Sequence, residues 1–152
     1  MKGILQRANN SFVKVEDKIV GHINTGLVVF LGVAENDTLE EIDLLVNKII
    51  NLRIFEDDEG KMNKSILDIN GEILLVSQFT LLADTKKGRR PSFIKAAHPE
   101  KAKEYYEIFI SKLQHTGLII ETGIFQANMK VHIENDGPVT IILDTEELGR
   151  KI

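Results

Sequence analysis

Four stretches of the chain carry side chains that could do chemistry. Ser77-Gln78-Phe79-Thr80 places two hydroxyls and an amide around a phenylalanine, directly after the apolar run Ile73-Leu74-Leu75-Val76. Buried hydroxyls and amides must find hydrogen-bond partners, or each costs on the order of 1–3 kcal/mol. Such a cluster reads either as a strand end opening into a pocket or as a strand whose hydroxyls bond neighbouring backbone. Ser77 and Thr80 are candidate nucleophiles, yet no nearby motif supplies a base. Lys86-Lys87-Gly88-Arg89-Arg90-Pro91 is a run of basic residues around a glycine. It offers a phosphate-contact surface or, as is commoner, an ordinary solvated charge run. Asn135-Asp136-Gly137-Pro138-Val139-Thr140 combines a residue free to adopt positive φ with one that fixes φ and donates no hydrogen bond. Asp136-Gly137 could be a plain hairpin tip, and the Gly-Pro pair a functional one. Arg7 shares a face with Leu5 by alternation, and an arginine on an apolar face needs a partner or must snorkel at the strand end.

Regular elements must position these groups. Residues 3–8 and 12–16 alternate as strands, Glu16-Asp17-Lys18 is a turn signal, and residues 19–23 return as a hairpin partner. Residues 26–33 are nearly all apolar, as in a central strand buried on both faces. Thr38-Leu39-Glu40-Glu41 is a capping box. The helix it opens carries Leu39, Ile42, Leu45, Val46, Ile49, Ile50 and Arg53 on one stripe and ends near Leu52. Residues 72–82 form the second buried strand. His98-Pro99-Glu100 opens a second helix with a stripe of Ala102, Tyr105, Tyr106, Phe109, Ile110 and Leu113, stopped near Gly117. Residues 119–123 begin the final strands. Met129, Val131 and Ile133 then alternate with polar residues, and Val139, Ile141 and Leu143 resume after the Gly-Pro pair. The order predicts an α/β fold in a single domain, residues 1–152, with a largely antiparallel sheet curled toward a barrel and two main helices.

The totals exclude several classes. At 152 residues, with 43% hydrophobic and 28% charged, the chain suits one globular domain. It has no cysteine, so disulfides, thiolate metal sites and a cysteine nucleophile are excluded together. The net charge of −4 argues against a globally basic nucleic-acid binder, so any RNA contact must come from a local patch. No signal-peptide segment and no membrane-length apolar run is present, and a cytoplasmic setting is expected. His22, His98, His115 and His132 are widely spaced and suggest no metal site. The acids after Phe55 lack the spacing of a calcium loop. No phosphate-binding glycine motif occurs.

Taken together, the motifs resemble one family. Ser77-Gln78-Phe79-Thr80-Leu81 followed by Ala83-Asp84, with Asn135-Asp136-Gly137-Pro138-Val139-Thr140, is similar to the D-aminoacyl-tRNA deacylases. Leu5-Gln6-Arg7, Arg53-Ile54-Phe55, Gly60-Lys61-Met62-Asn63, Arg90-Pro91-Ser92-Phe93 and Thr122-Gly123-x-Phe125 recur in the same order, so the likeness covers essentially the whole chain. Gln126 departs from it, where many members carry glycine.

The resemblance implies hydrolysis of the ester between a D-amino acid and the terminal adenosine of tRNA, with glycyl-tRNA as a further substrate and no cofactor. It implies a homodimer in which a cis Gly137-Pro138 tip enters the partner subunit's pocket. There the tip's carbonyls would exclude an L side chain, so that selectivity comes from rejection. Ser77, Gln78, Phe79 and Thr80 would form the catalytic wall, with a backbone N–H near Phe79 or Thr80 facing the oxyanion. Thr80 would position the reactants, and the terminal ribose 2′-hydroxyl would help activate water. Arg7 would brace the tip, and Phe125 and Met129 would meet the adenosine. Lys86, Lys87, Arg89 and Arg90 are expected, from charge alone, to touch tRNA phosphates. Two other readings are an RNA-binding module built on the basic loop and a small-molecule esterase using Ser77 or Thr80. The acidic net charge counts against the first, and the missing triad counts against the second.

Overall fold

Two long strands organise the chain. In the computed structural model, which describes residues 1–149, Lys2–Val15 forms β1 and Lys18–Gly32 forms β2. The segments expected as separate short strands are thus halves of two continuous ones. Glu16 and Asp17 connect them at φ of 49° and 64°, as a two-residue hairpin turn matching the strand twist requires. Strand β5 (Glu72–Ser77) runs parallel to β2, and β6 (Ile119–Thr122) runs parallel to β5. Strand β7 (Lys130–Asp144) lies antiparallel on the other edge of β1. The sheet order is β6-β5-β2-β1-β7, and most paired residues lie in the two antiparallel ladders. Short strands β3 (Phe55–Glu56) and β4 (Met62–Lys64) pair separately and frame the acidic loop. Asp57 is bonded by Asn63 and by the backbone of Lys61 and Glu59, which holds its carboxyl below the usual range. That carboxylate shapes its own turn.

Helix α1 (Leu39–Asn51) and helix α2 (Pro99–Gln114) cover one face. Ile42, Leu45 and Ile49 of α1 and Tyr106, Phe109 and Leu113 of α2 bury against Leu5, Leu27, Val29, Ile73 and Leu75. Each such side chain contributes roughly 1.5–3 kcal/mol through apolar burial. Leu39, expected on the stripe, is 53% exposed, because it sits in the first turn before the helix meets the sheet. Arg53 is also exposed and lies beyond the helix end. A short α3 (Thr145–Leu148), capped by Asp144, follows β7.

The other face curls. Ala8, Val13 and Ile23 meet Val28, Leu74 and Val76 in a second apolar cluster, with Met129, Val131 and Ile133 packed against it. A close approach at Gly21 permits the fold-over: a Cβ there would lie 2.5 Å from the Thr122 carbonyl oxygen. The barrel-like curl is therefore made by packing of β2 on β6. Among the described residues the hydrogen-bonded ladder stays open between them.

Residues 129–133 and 139–143 are not a hairpin. From Lys130 on both belong to β7 and both pair with β1. Ala8 opposes Asn135 and Gln6 opposes Thr140, so Asp136, Gly137, Pro138 and Val139 together face Arg7 alone. Four residues against one leaves an excess of three, and an odd excess turns the alternation over. Ile133 therefore packs on the curled face, whereas Val139 and Leu143 bury under the helices. The buried Arg7 fills the gap. Its Nε donates to the Asp136 carbonyl at 3.1 Å and an Nη donates to the Ile54 carbonyl at 3.0 Å. Glu56 and Asp136 carboxylates stand 3.9 and 3.6 Å away. Asn135 closes the bulge by accepting from Val139 N–H at 3.2 Å and donating to Thr140 Oγ1 at 3.0 Å.

Two stability measurements follow from these contacts. Arg7→Met keeps the apolar stem and leaves two carbonyls without their donor, so urea unfolding should show a loss of about 2–4 kcal/mol. At α1, burial pulls the Glu41 carboxyl upward, but bonds from the Thr38 hydroxyl, the Thr38 backbone and its own backbone outweigh it and hold the group below its ordinary value. A depressed carboxylate stabilises above its unfolded-state pKa and loses that contribution as pH falls through its folded one. The difference in stability between the native chain and Glu41→Gln should therefore be below about 1 kcal/mol at neutral pH and vanish in strong acid.

Candidate active site

The expected second strand is shorter than the apolar pattern suggests. Strand β5 stops at Ser77, and the chain turns at Gln78, whose N–H donates to the Leu31 carbonyl at 2.8 Å. Phe79–Leu82 then forms a single 3-10 turn. Of its apolar residues only Leu82 is buried, while Phe79 is 55% exposed. The hydroxyls and amide thus lie at a strand end, as the pocket reading required. Gln78 Nε2 donates to Thr80 Oγ1 at 2.6 Å. No acid or imidazole bonds that hydroxyl among the described residues, so no general base is poised on it.

This turn forms one wall of a cleft of about 910 Å³. Ser77, Gln78 and Phe79 line it, and Phe125 and Met129 face them from the segment between β6 and β7. The two walls share a support. Tyr106 is buried on α2, donates its O–H to the Leu75 carbonyl at 2.9 Å, and lies 5.9 Å ring-to-ring from Phe125. Burial pushes its hydroxyl up to about 12, against a smaller opposing contribution from Thr122, so it stays a donor. Gln126, also on the wall, has φ of 64°. That left-handed backbone is one that glycine adopts without strain.

The other expected site residues lie elsewhere. Thr80 follows the wall but is not among the lining residues. Gly137 and Pro138 are exposed on β7, separated from β5 by β2 and β1. The Gly137-Pro138 bond is cis. Gly137 has φ of +124°, and a Cβ there would meet an Arg7 Nη at 2.9 Å, so the position requires glycine. Lys86, Lys87, Arg89 and Arg90 are exposed on a loop whose neck is closed by reciprocal Asp84 and Ser92 backbone bonds of 2.8 and 2.9 Å. His132 stacks on Phe12 at 4.5 Å, on the wet face expected for it.

Sequence reading missed the third side of the cleft. Phe93, Ile94, Ala97, His98 and Ala102 line it. This segment is pinned to the end of β2 by Glu35 and Ala97 N–H bonds to the Lys95 and Val33 carbonyls, both 2.9 Å. Its sequence signals are the Arg90-Pro91-Ser92-Phe93 motif, which carried the resemblance without a role in the site, and the apolar Phe93-Ile94 pair that ends it. Among the described residues no three His, Asp or Glu side chains converge as a metal site, and no helix is long and apolar enough to cross a membrane.

Comparison with known proteins places the sequence and the fold in one family. The profile of a family described as D-Tyr-tRNA(Tyr) deacylase matches residues 4–144. A D-aminoacyl-tRNA deacylase of Aquifex aeolicus is 60% identical over 148 residues, covering 97% of this chain and all of that protein. One from Clostridium botulinum is 55% identical over 147 residues, covering 97% and 99%. Among solved structures, a c-Myc DNA unwinding element binding protein superposes with a TM-score of 0.90 at 44% identity, covering 95% of this chain and 98% of the other. A probable eukaryotic D-amino acid tRNA deacylase shares the fold, with a TM-score of 0.81 at 19% identity and coverage of 93% and 97%. Full-length matches at this identity leave one assignment: the chain belongs to the D-Tyr-tRNA(Tyr) deacylase family.

Proposed function

We propose that this protein is a D-aminoacyl-tRNA deacylase acting in translation proofreading, a cytoplasmic process. It hydrolyses the ester between a D-amino acid, or glycine, and the terminal adenosine of tRNA. The observation that carries the reading is the convergence of Ser77, Gln78 and Phe79 with Phe125 and Met129 in one cleft. An aromatic and a thioether suit the face of a base, and the polar strand end suits the ester.

In this reading water attacks the ester carbonyl carbon, the bond to the ribose oxygen breaks, and that oxygen leaves with a proton. The backbone N–H groups of Phe79 and Thr80, at the start of the 3-10 turn, serve the developing oxyanion. The Thr80 hydroxyl accepts from Gln78 and has no base beside it, which favours a positioning role. The neighbouring ribose 2′-hydroxyl then assists the water. Lys86, Lys87, Arg89 and Arg90 supply tRNA phosphate contacts, which predicts salt-sensitive binding.

Rejection of L esters falls to the Gly137-Pro138 tip. Within one chain that tip stands on the far edge of the sheet from Ser77. The reading therefore requires a homodimer, with each tip entering the partner subunit's cleft and Arg7 bracing it from behind. The rigid carbonyls exclude an L side chain and leave a D side chain outside.

Parallel assays of D-tyrosyl-, L-tyrosyl- and glycyl-tRNA should show loss of the D and glycyl esters and survival of the L ester. Cleavage of none would overturn the assignment. Gly137→Ala, which cannot keep its backbone without meeting Arg7, should lose D-ester hydrolysis or the D/L ratio while the chain still folds by circular dichroism. Replacing the terminal adenosine by its 2′-deoxy form should slow turnover by about 10²–10⁴-fold, the usual scale of positioned acid–base help. An acyl-enzyme trapped on Thr80 would instead establish the covalent route.

A further inference from the structure

The third side of the cleft is unused by the mechanism above, although its surface is apolar and open. Phe93 is 37% exposed and Ile94 is 89% exposed. Phe93 meets Phe79 edge-to-face at 5.1 Å, so the two rings form a fixed aromatic corner at the end of the catalytic wall. Backbone bonds to the end of β2 hold the segment, including the Ala97 to Val33 bond of 2.9 Å. The corner does not float with the loop before it. That loop presents Lys86, Lys87, Arg89 and Arg90, and among the described residues none of the four is in an ion pair. Its closed neck delivers the chain to Phe93 one residue after Ser92. A cleft of about 910 Å³ sits at the upper end of the range for one small ligand, roughly 300–1,000 Å³.

We propose that Phe93 and Ile94 form a stacking subsite for the penultimate nucleotide of the RNA 3′ end, while the basic loop takes the phosphates beyond it. The occupant is single-stranded RNA, because an open aromatic surface beside free cations fits a base with its phosphate. A wholly apolar partner would leave those cations unmatched. Stacking is sequence-tolerant, since every base presents a π-face, so the subsite extends binding without reading sequence. The assignment rests on the deacylase reading and deepens it. The adenosine against Phe125 and Met129 sets the chemistry, and the next base against Phe93 sets affinity.

The test uses two short substrates, a D-tyrosyl ester of adenosine and the same ester on a cytidylyl-adenosine dinucleotide. Wild-type protein should show a KM lower by roughly 5- to 100-fold for the dinucleotide, the equivalent of about one stacked base, with similar kcat. In Ile94→Ala that advantage should shrink while kcat and KM on the adenosine ester stay unchanged, and in Phe93→Ala, whose ring packs on Phe79, the ratio of the two KM values should fall toward one. Phe93→Leu should keep part of the advantage. Ile94 is too exposed for its truncation to unfold the chain, so it serves where Phe93→Ala lowers the thermal midpoint. Equal KM for both substrates in the wild type overturns the subsite and leaves the deacylase reading standing. Equal weakening of both substrates in the variants overturns it too, as does a change of oligomeric state in Ile94→Ala, which would assign the surface to a second copy. If the wild type cleaves neither ester nor D-tyrosyl-tRNA, both readings fall.

Discussion

The guanidinium of Arg7 is the constraint on which the edge of the sheet depends. Four residues of β7 stand opposite this one residue of β1. Their backbone groups cannot all join the ladder, and a buried unpaired carbonyl is costly. Arginine solves this with donors in a fixed fork, one aimed at Asp136 and one at Ile54. Ile54 lies just beyond the end of α1, so the same side chain ties the bulge to the helical layer. Lysine has no fork and could not span both carbonyls in a planar arrangement. The exposed Gly137-Pro138 pair is thereby held on the edge strand by a buried cation.

The cleft follows from a different feature, the direction of the strands. Strands β2, β5 and β6 run parallel, so Gly32, Ser77 and Thr122 all end on one side of the sheet. In open α/β sheets ligand sites gather beyond such carboxyl ends. Here the segments leaving β5 and β6 become the two facing walls. Tyr106 touches both, through the Leu75 carbonyl and the Phe125 ring. The antiparallel half of the sheet contributes the curl that brings Met129 and Val131 to the cleft.

The two halves of the proposed function therefore sit on opposite edges of one chain. The ester-handling turn depends on the parallel half, and the tip depends on the antiparallel half. In the proposed reading a homodimer would reunite them, because β2 and β1 intervene between β5 and β7 within one chain. Among the described residues no acid or imidazole bonds the Thr80 hydroxyl, in keeping with the proposed assistance by the RNA itself.

Much of this was legible in the residues. The capping box at Thr38, the stripes of both helices, the central strand 26–33, the Glu16-Asp17 turn and the polar strand end at Ser77 are local patterns, fixed by the period of each element and by turn chemistry. The motifs around Ser77 and Gly137 were enough to suggest the family. What the sequence could not determine was partnership at a distance. The alternation on either side of Gly137 reads as a hairpin because adjacent strands usually pair with each other. Only the fold decides that both halves pair with β1, since the partner is Arg7, far away in the chain. The apolar residues after Ser77 read as more strand, and only the bond from Gln78 to Leu31 in the neighbouring strand decides that the strand stops there. Phe93 entered the reading only as part of a family motif, and Ile94 not at all, for the same reason: an apolar pair in a loop has no period, and it gains a place in the site only when tertiary contacts set it against Phe79. Local patterns are written in neighbouring residues, whereas a site is written in which neighbours the tertiary structure supplies.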